Sequence, residues 1–137
     1  IAKAAMERLN LSFENTYEFS YQEMLPAASQ GFIGIECISS NKDLIKILGS
    51  ISSEKDMVLA EAERSFVAQL NGSCFSPIAI YCREESSHVL VSAKALSQNG
   101  DKQIFKEIIS SYASINEDIR SLAKEFISKG ADKLILS

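Results

Sequence analysis

Apolar residues recur at helical spacing in some stretches of this chain and alternate or run together in others. Ala2, Ala5, Met6 and Leu9 place one face of a short helix over residues 2–9. Tyr17, Phe19 and Tyr21 alternate in the manner of an exposed or edge strand. Leu25 to Gly31 is a connection, because Pro26 biases Leu25 towards an extended conformation and Gly31 permits positive φ. Phe32–Ile38 is nearly continuous apolar sequence and predicts a well-buried strand. A helix over about 41–48 follows, with Leu44, Ile45 and Leu48 on one face and Gly49 as its stop.

Beyond Gly49 the pattern is more regular. Ser53 and Asp56 form a capping-box-like start for a helix reaching about Asn71, with Leu59, Ala62, Phe66 and Leu70 as its apolar stripe. Asn71-Gly72 close it in the left-handed cap conformation. Three strands are expected at Ile78–Arg83, Val89–Leu96 and Gln103–Ile109. Glu84-Glu85-Ser86-Ser87 joins the first pair as a solvated turn, and Gln98-Asn99-Gly100-Asp101, with its Asn-Gly hairpin signal, joins the second. Ser114 with Glu117 makes another capping box, opening a helix to Lys129 that buries Ile119, Leu122, Phe126 and Ile127. Gly130 ends it, and Lys133–Leu136 reads as a last short strand. Residues 53–137 are therefore α-β-β-β-α-(β), an α+β arrangement in which a small three-stranded antiparallel sheet is covered by helices. Residues 1–50 hold too few partners to close a core of their own.

Composition narrows the partners. A net charge of −4 argues against nucleic acid and acidic membranes, which require clustered Lys and Arg. No apolar run approaches the roughly 20 residues that span a bilayer, and Ile1-Ala2-Lys3-Ala4-Ala5 is a helix start without the long apolar core of a signal peptide. The first residue is Ile1, not Met, as expected of a portion of something longer. The three cysteines are an odd number without CxxC spacing, so no disulfide framework or zinc site is expected, and a reducing cytoplasm is the expected location. His88 is the only histidine, which excludes His-based metal clusters; it reads as a polar surface residue.

Cys74 is the residue with most chemical promise. It lies in Asn71-Gly72-Ser73-Cys74-Phe75-Ser76-Pro77, between a helix end and a strand. Three readings stay open: a packing residue, a nucleophile, or a covalent attachment point. Following the negative end of a helix macrodipole, with no Lys or Arg beside it, it suits a thiol that reacts once with a strong electrophile. Cys37 and Cys82 sit in apolar strands and read as core. Glu63-Arg64 reads as a solvent-facing or inter-element ion pair. Arg8 either caps its helix or projects towards an anionic ligand. Ser29-Gln30-Gly31 can set backbone N–H groups and the Gln30 amide against a ligand.

Several of these pieces occur together and in register. Leu25-Pro26-Ala27-Ala28-Ser29-Gln30-Gly31-Phe32-Ile33-Gly34-Ile35-Glu36-Cys37, Ala62-Glu63-Arg64-Ser65-Phe66 and Gly72-Ser73-Cys74-Phe75-Ser76-Pro77-Ile78 resemble the porphobilinogen deaminase (hydroxymethylbilane synthase) family. Ala4-Ala5-Met6-Glu7-Arg8-Leu9 also resembles that family's AGLxRL helix, and Gly130-Ala131 precede a final strand as they do there. The resemblance implies the C-terminal part of a three-domain enzyme whose first two domains are periplasmic-binding-protein-like α/β lobes. Residues 1–28 would be the end of domain two and a hinge, 29–52 the returning strand and helix of domain one, and 53–137 the C-terminal cofactor-anchoring domain.

The family joins four porphobilinogen units into hydroxymethylbilane with release of ammonia, on a dipyrromethane primer held by a thioether. By resemblance, Cys74 is that anchor, Arg8 matches an arginine that pairs with acetate or propionate groups, and Gln30 and Gly31 match hinge residues beside the cofactor. The family's GQG is Ser29-Gln30-Gly31 here, and its Gly-Gly-Cys is Gly72-Ser73-Cys74. Its catalytic Asp lies upstream, so no catalytic residue is assigned in this chain, and no metal is implied. Four arginines, Arg8, Arg64, Arg83 and Arg120, are too few to neutralise a growing polycarboxylate. The chain alone is expected to be inactive, its partners being porphobilinogen, oligopyrrole intermediates and the missing N-terminal domains of a monomeric enzyme. Two other readings are a non-enzymatic α+β interaction module and a Cys hydrolase. The latter is disfavoured because His88 is the only possible base and nothing orients it.

Overall fold

Burial divides this chain sharply. A computed structural model describes residues 1–137, and its 18-residue apolar core is drawn wholly from residues 59–135. The elements in order are α1 (Lys3–Arg8), α2 (Lys42–Ile51), α3 (Glu54–Gln69), β1 (Ile78–Glu85), β2 (His88–Leu96), β3 (Gln103–Ser110), α4 (Ile115–Ser128) and α5 (Ala131–Leu134). The three strands form an antiparallel sheet in the order β1-β2-β3, with Cys82 opposite Val91 and Val91 opposite Ile108. Alternation along each strand sends Ile78, Ile80 and Cys82 of β1, and Val89, Val91, Ala93 and Ala95 of β2, to one face. There α3 packs on β1 and α4 on β3, and the two helices meet through Phe66 and Phe126, edge to face at 5.1 Å. No helix is long and apolar enough to cross a membrane.

The start of α3 follows the sequence: the Ser53 hydroxyl accepts from the Asp56 N–H at 3.2 Å. The start of α4 differs. Ser114 makes no cap bond with its side chain; the Ser111 hydroxyl instead accepts from the Ser114 N–H at 3.2 Å. Ile127 lies on the outer side of α4 and is not buried. The hairpin turn between β1 and β2 is tighter than expected. Glu84 and Glu85 pair within the ladder, and only Ser86 and Ser87 turn the chain, with Ser86 at φ 55°.

Four expected elements change character. Phe32–Ile38 forms no strand, and Ile33, Ile35 and Ile38 are exposed. A strand needs a neighbour to take up its N–H and C=O groups, and nothing in this chain lies alongside. Phe32 alone packs on the core, and Cys37 is half-buried, not a core residue. Tyr17–Tyr21 is likewise no strand; Tyr21 is pinned to the outer face of the sheet, stacked on Tyr81 at 4.7 Å with the Arg83 guanidinium 5.3 Å from its ring centre. Gly49 does not stop α2, which continues to Ile51 with no buried residue. Lys133–Leu136 is no strand either. Gly130, at φ 82°, turns the chain into the short α5, and the Gln98 side-chain amide donates to the Ile135 carbonyl at 2.8 Å.

Candidate functional site

Cys74 stands on a turn whose shape is set from both sides. The chain leaves α3 through Asn71, at φ 53°, so the left-handed position is Asn71 and not Gly72. Gly72 is needed for space: a Cβ there would lie 2.5 Å from the Ile78 Cδ1, 3.0 Å from a Val67 methyl and 3.2 Å from the Val67 carbonyl oxygen. Gly72→Ala is therefore expected to destabilise by about 1–3 kcal/mol, read from the urea midpoint, because the Val67 backbone cannot swing aside as the Ile78 methyl can. After Gly72 the Ser73 N–H donates to the Ser76 hydroxyl at 2.9 Å, and the Ser76 N–H donates to the Ser73 carbonyl at 3.1 Å. Ser73 keeps negative φ, so serine fits without strain at the family's second glycine position. This closed turn leaves Cys74 exposed at its crest, beside an exposed Phe75.

Residues 25–32, the hinge that the resemblance implies, reach the same place by way of one buried carboxylate. Glu63 is 1 % exposed. One of its oxygens accepts from the Ser29 N–H at 2.6 Å and the other from the Cys82 N–H, on the free edge of β1, at 2.7 Å. Glu63 is thus neither solvent-facing nor ion-paired with Arg64, as its charge suggested; it fastens the hinge to the sheet. Burial pushes its pKa up, against the pull of the two N–H donors. The missed signal was its spacing. Glu63 falls four residues after Leu59 and three before Phe66, on the apolar stripe itself.

The left-handed residue of the hinge is Ser29, at φ 60°, and not Gly31. This conformation costs an L-residue about 1–2 kcal/mol. Ser29 recovers part of it by donating its hydroxyl to the Ala60 carbonyl at 3.2 Å. Ser29→Ala, which keeps the strain and loses the bond, should lower stability by about 1 kcal/mol, whereas Ser29→Gly should stay within about 0.5 kcal/mol of wild type in chemical denaturation.

Between hinge, α3 and the Cys74 turn runs an open groove of about 960 Å³, lined among others by Ala28, Gln30, Glu61, Arg64, Ser73 and Cys74. On the other side of the hinge a cavity of about 310 Å³ is lined by Gln30, Gly31, Glu63 and Arg83. The structure thus brings Cys74 and Gln30 to one groove and puts Gly31 just beyond it. Arg8 is exposed in the last turn of α1, caps no carbonyl and lines neither space. His88, half-buried at the start of β2 with its Nε2 3.8 Å from Glu85, also lines neither, so no imidazole shares the groove with Cys74. Cys82 is a core residue, as its strand pattern implied, and burial raises its thiol pKa strongly. No three His, Cys, Asp or Glu side chains converge as metal ligands.

The α+β domain thus presents an exposed thiol on a closed turn, beside an open groove. Comparison with known proteins gives the family. Residues 57–128 match the family model for the porphobilinogen deaminase C-terminal domain, and residues 1–46 match that for the porphobilinogen deaminase dipyromethane cofactor binding domain. The chain is 37% identical to porphobilinogen deaminase of Campylobacter jejuni and 36% identical to that of Campylobacter hominis, each over 98% of its length. It is 33% identical to the chloroplastic porphobilinogen deaminase of Pisum sativum over 91% of its length. The chain belongs to the porphobilinogen deaminase family. It spans 44% of each Campylobacter protein and 34% of the Pisum sativum protein.

Proposed function

We propose that this chain is the C-terminal portion of a hydroxymethylbilane synthase, a transferase that joins four porphobilinogen units into hydroxymethylbilane with release of ammonia, and that Cys74 anchors its dipyrromethane primer. The observation that carries this reading is the exposed Cys74 on a rigid turn, opening on a groove it shares with Gln30. The residues fit such a group. The thiol is accessible, the groove has the volume of a small-molecule site, and the turn beneath it is held by its own hydrogen bonds. When bound, the dipyrromethane supplies the primer to which pyrrole units are added.

Cys74 Sγ would hold the group by a thioether: the S–H adds to an electrophilic methylene-pyrrole, sulfur bonding to the exocyclic carbon as its C=C bond is consumed and the proton passing to the ring nitrogen. It need react only once, so the absence of a neighbouring base is no obstacle. Gln30 offers its side-chain amide to the groove and Gly31 lies at the neighbouring cavity. Arg8 would meet an acetate or propionate group only when the rest of the protein folds around α1.

We assign residues 1–28 to the end of domain two and the hinge, 29–52 to the returning strand and helix of domain one, and 53–137 to the anchoring domain. The exposed Ile33, Ile35 and Ile38 support this division, because they are the residues a neighbouring strand and helix layer would cover. The missing lobes would contribute the acid group that assists deamination, so this chain by itself is inactive. The complete enzyme works as a monomer in a reducing, cytoplasmic setting that keeps Cys74 a thiol. The test is intact mass and peptide mapping of the complete protein. A dipyrrole mass excess on the peptide containing Cys74, with a positive Ehrlich reaction, is expected; an unmodified Cys74 in active enzyme would sink the reading.

A further inference from the structure

An Asn-Gly pair leaves a side-chain amide open to attack by its own backbone, because glycine offers no Cβ to hinder the approach. The chain has two such pairs, Asn71-Gly72 and Asn99-Gly100. In sequence the two are equivalent; in the fold they are not. Asn71-Gly72 follows α3 and leads into the Cys74 turn. The Gly72 N–H donates to the Val67 carbonyl at 3.0 Å, and Gly72 packs against the Ile78 and Val67 side chains. Leu70, next to the pair, is buried, so freeing this backbone means pulling the last turn of α3 from the core.

Asn99-Gly100 is exposed at the tip of the β2–β3 hairpin, and nothing lies within 4 Å of where a Gly100 Cβ would be. The Gly100 N–H donates to the Ser97 carbonyl at 2.9 Å, a bond at a solvent-facing turn that opens without disturbing the core. The Asn99 side chain is already held for reaction. Its Oδ1 accepts from the Ser97 hydroxyl at 2.8 Å and from the Asp101 N–H at 3.2 Å, two donors placed as for a developing oxyanion. Its Nδ2 donates to the Asp101 carboxylate at 2.7 Å, which favours positive charge on that nitrogen as it departs.

We propose that Asn99 is a site of spontaneous deamidation, and that the fold protects Asn71, the pair beside the Cys74 turn, from the same reaction. The Gly100 nitrogen bonds to the Asn99 Cγ and gives up its proton; the Cγ–Nδ2 bond breaks, and the NH2 group leaves with that proton as ammonia. Water then opens the cyclic imide. Attack at Cγ gives aspartate, and attack at the main-chain carbonyl carbon gives isoaspartate. Aspartate sets a second carboxylate against Asp101 where an amide N–H had been, and isoaspartate lengthens the main chain of the turn by one carbon. The turn it loosens also holds the end of the chain, through the Gln98 N–H to the Ser137 carbonyl at 2.7 Å and the Gln98 amide to the Ile135 carbonyl.

Peptide mapping of the complete protein, incubated warm at mildly alkaline pH, tests this. Trypsin separates the two pairs, Asn99 in residues 95–102 and Asn71 in residues 65–83, and deamidation adds one mass unit to either peptide. In the folded protein Asn99 should convert at least about tenfold faster than Asn71, because only the Asn71 pair is tied to the core. In guanidinium chloride the two rates should come within about threefold of each other, since only local sequence then acts. Isoaspartate in peptide 95–102, detected by enzymatic methyl transfer, marks the route through the imide. Equal rates in the folded protein, faster change at Asn71, or an Asn99 still intact after several half-lives of the denatured chain overturns the proposal. So does a ratio as large in denaturant as in the fold. None of these readings depends on the group at Cys74.

Discussion

Cys74→Ser in the complete protein is expected to abolish the covalent adduct and to leave less than about 1% of wild-type turnover, a loss of at least ~2.7 kcal/mol of transition-state stabilisation. A hydroxyl at the same place has the reach of the thiol but far less nucleophilicity, and nothing beside it can compensate. The groove offers no imidazole, and its one cation, Arg64, is no base. The fold should not change, because Cys74 is exposed and its turn is closed by Ser73 and Ser76. Cys37→Ser, at a half-buried position outside the groove, should retain adduct and activity. Intact mass and a porphobilinogen-consumption assay on the two variants check both statements. Full activity in Cys74→Ser would remove the anchor role.

The second large effect is on stability. Glu63→Leu should cost about 2–5 kcal/mol, because it strands the Ser29 and Cys82 N–H groups, each worth roughly 1–3 kcal/mol when left unsatisfied. Glu63→Gln should cost less, about 1–3 kcal/mol, since one amide oxygen still accepts while the NH2 faces the other donor. The pH dependence has an unusual sign for a carboxylate. The folded-state pKa of Glu63 is raised above its ordinary value of 4.5, chiefly by burial. Its contribution is therefore fully present below about pH 4.5 and is lost as pH rises through the folded value.

Asp56, Tyr81, Arg83 and Glu84 line the cavity that Glu63 borders, and none of them supplies a charge that reverses this sign. Glu84, beside Lys55 and Tyr112, and Glu125, beside Lys106 and Lys129, behave oppositely: their pKa values are lowered, and what they contribute fades as pH falls. Wild type and Glu63→Gln share those groups, so their difference isolates Glu63. The gap in urea-unfolding free energy should narrow as pH rises from about 4 to about 8. A gap that widens over that range would contradict the assigned burial.

What could be read from the sequence follows from where each element finds its partners. The helix carrying Leu59, Ala62, Phe66 and Leu70 and the three strands closed as expected, because both sides of every contact are in this chain. Phe32–Ile38 carries an equally clear buried pattern and stays exposed, since hydrophobicity states what a segment requires and not whether the neighbour is present. Gly49 does not stop α2, because glycine weakens a helix by roughly 1 kcal/mol without ending it. At the groove, the turn that exposes Cys74 and the connection that carries Gln30 were legible from their motifs. The burial of Glu63 and the groove-facing place of Arg64 were not, because their charge says less than their position. Their places on α3, one on the apolar stripe and the next on its border, decide that the first is buried and the second faces the groove.

The fastening of Ser29 to Glu63 has a mechanical consequence. It holds the hinge by a backbone N–H, with Leu25 buried upstream and Phe32 packed on the core downstream, so residues 25–32 travel with the sheet as one body. Any swing of α2 against that body must bend both in 33–41 and at Ser52-Ser53, where no strand or helix stiffens the chain. Gln30 and Cys74 therefore keep their mutual placement through such a swing. The two walls of the groove behave as fixed jaws.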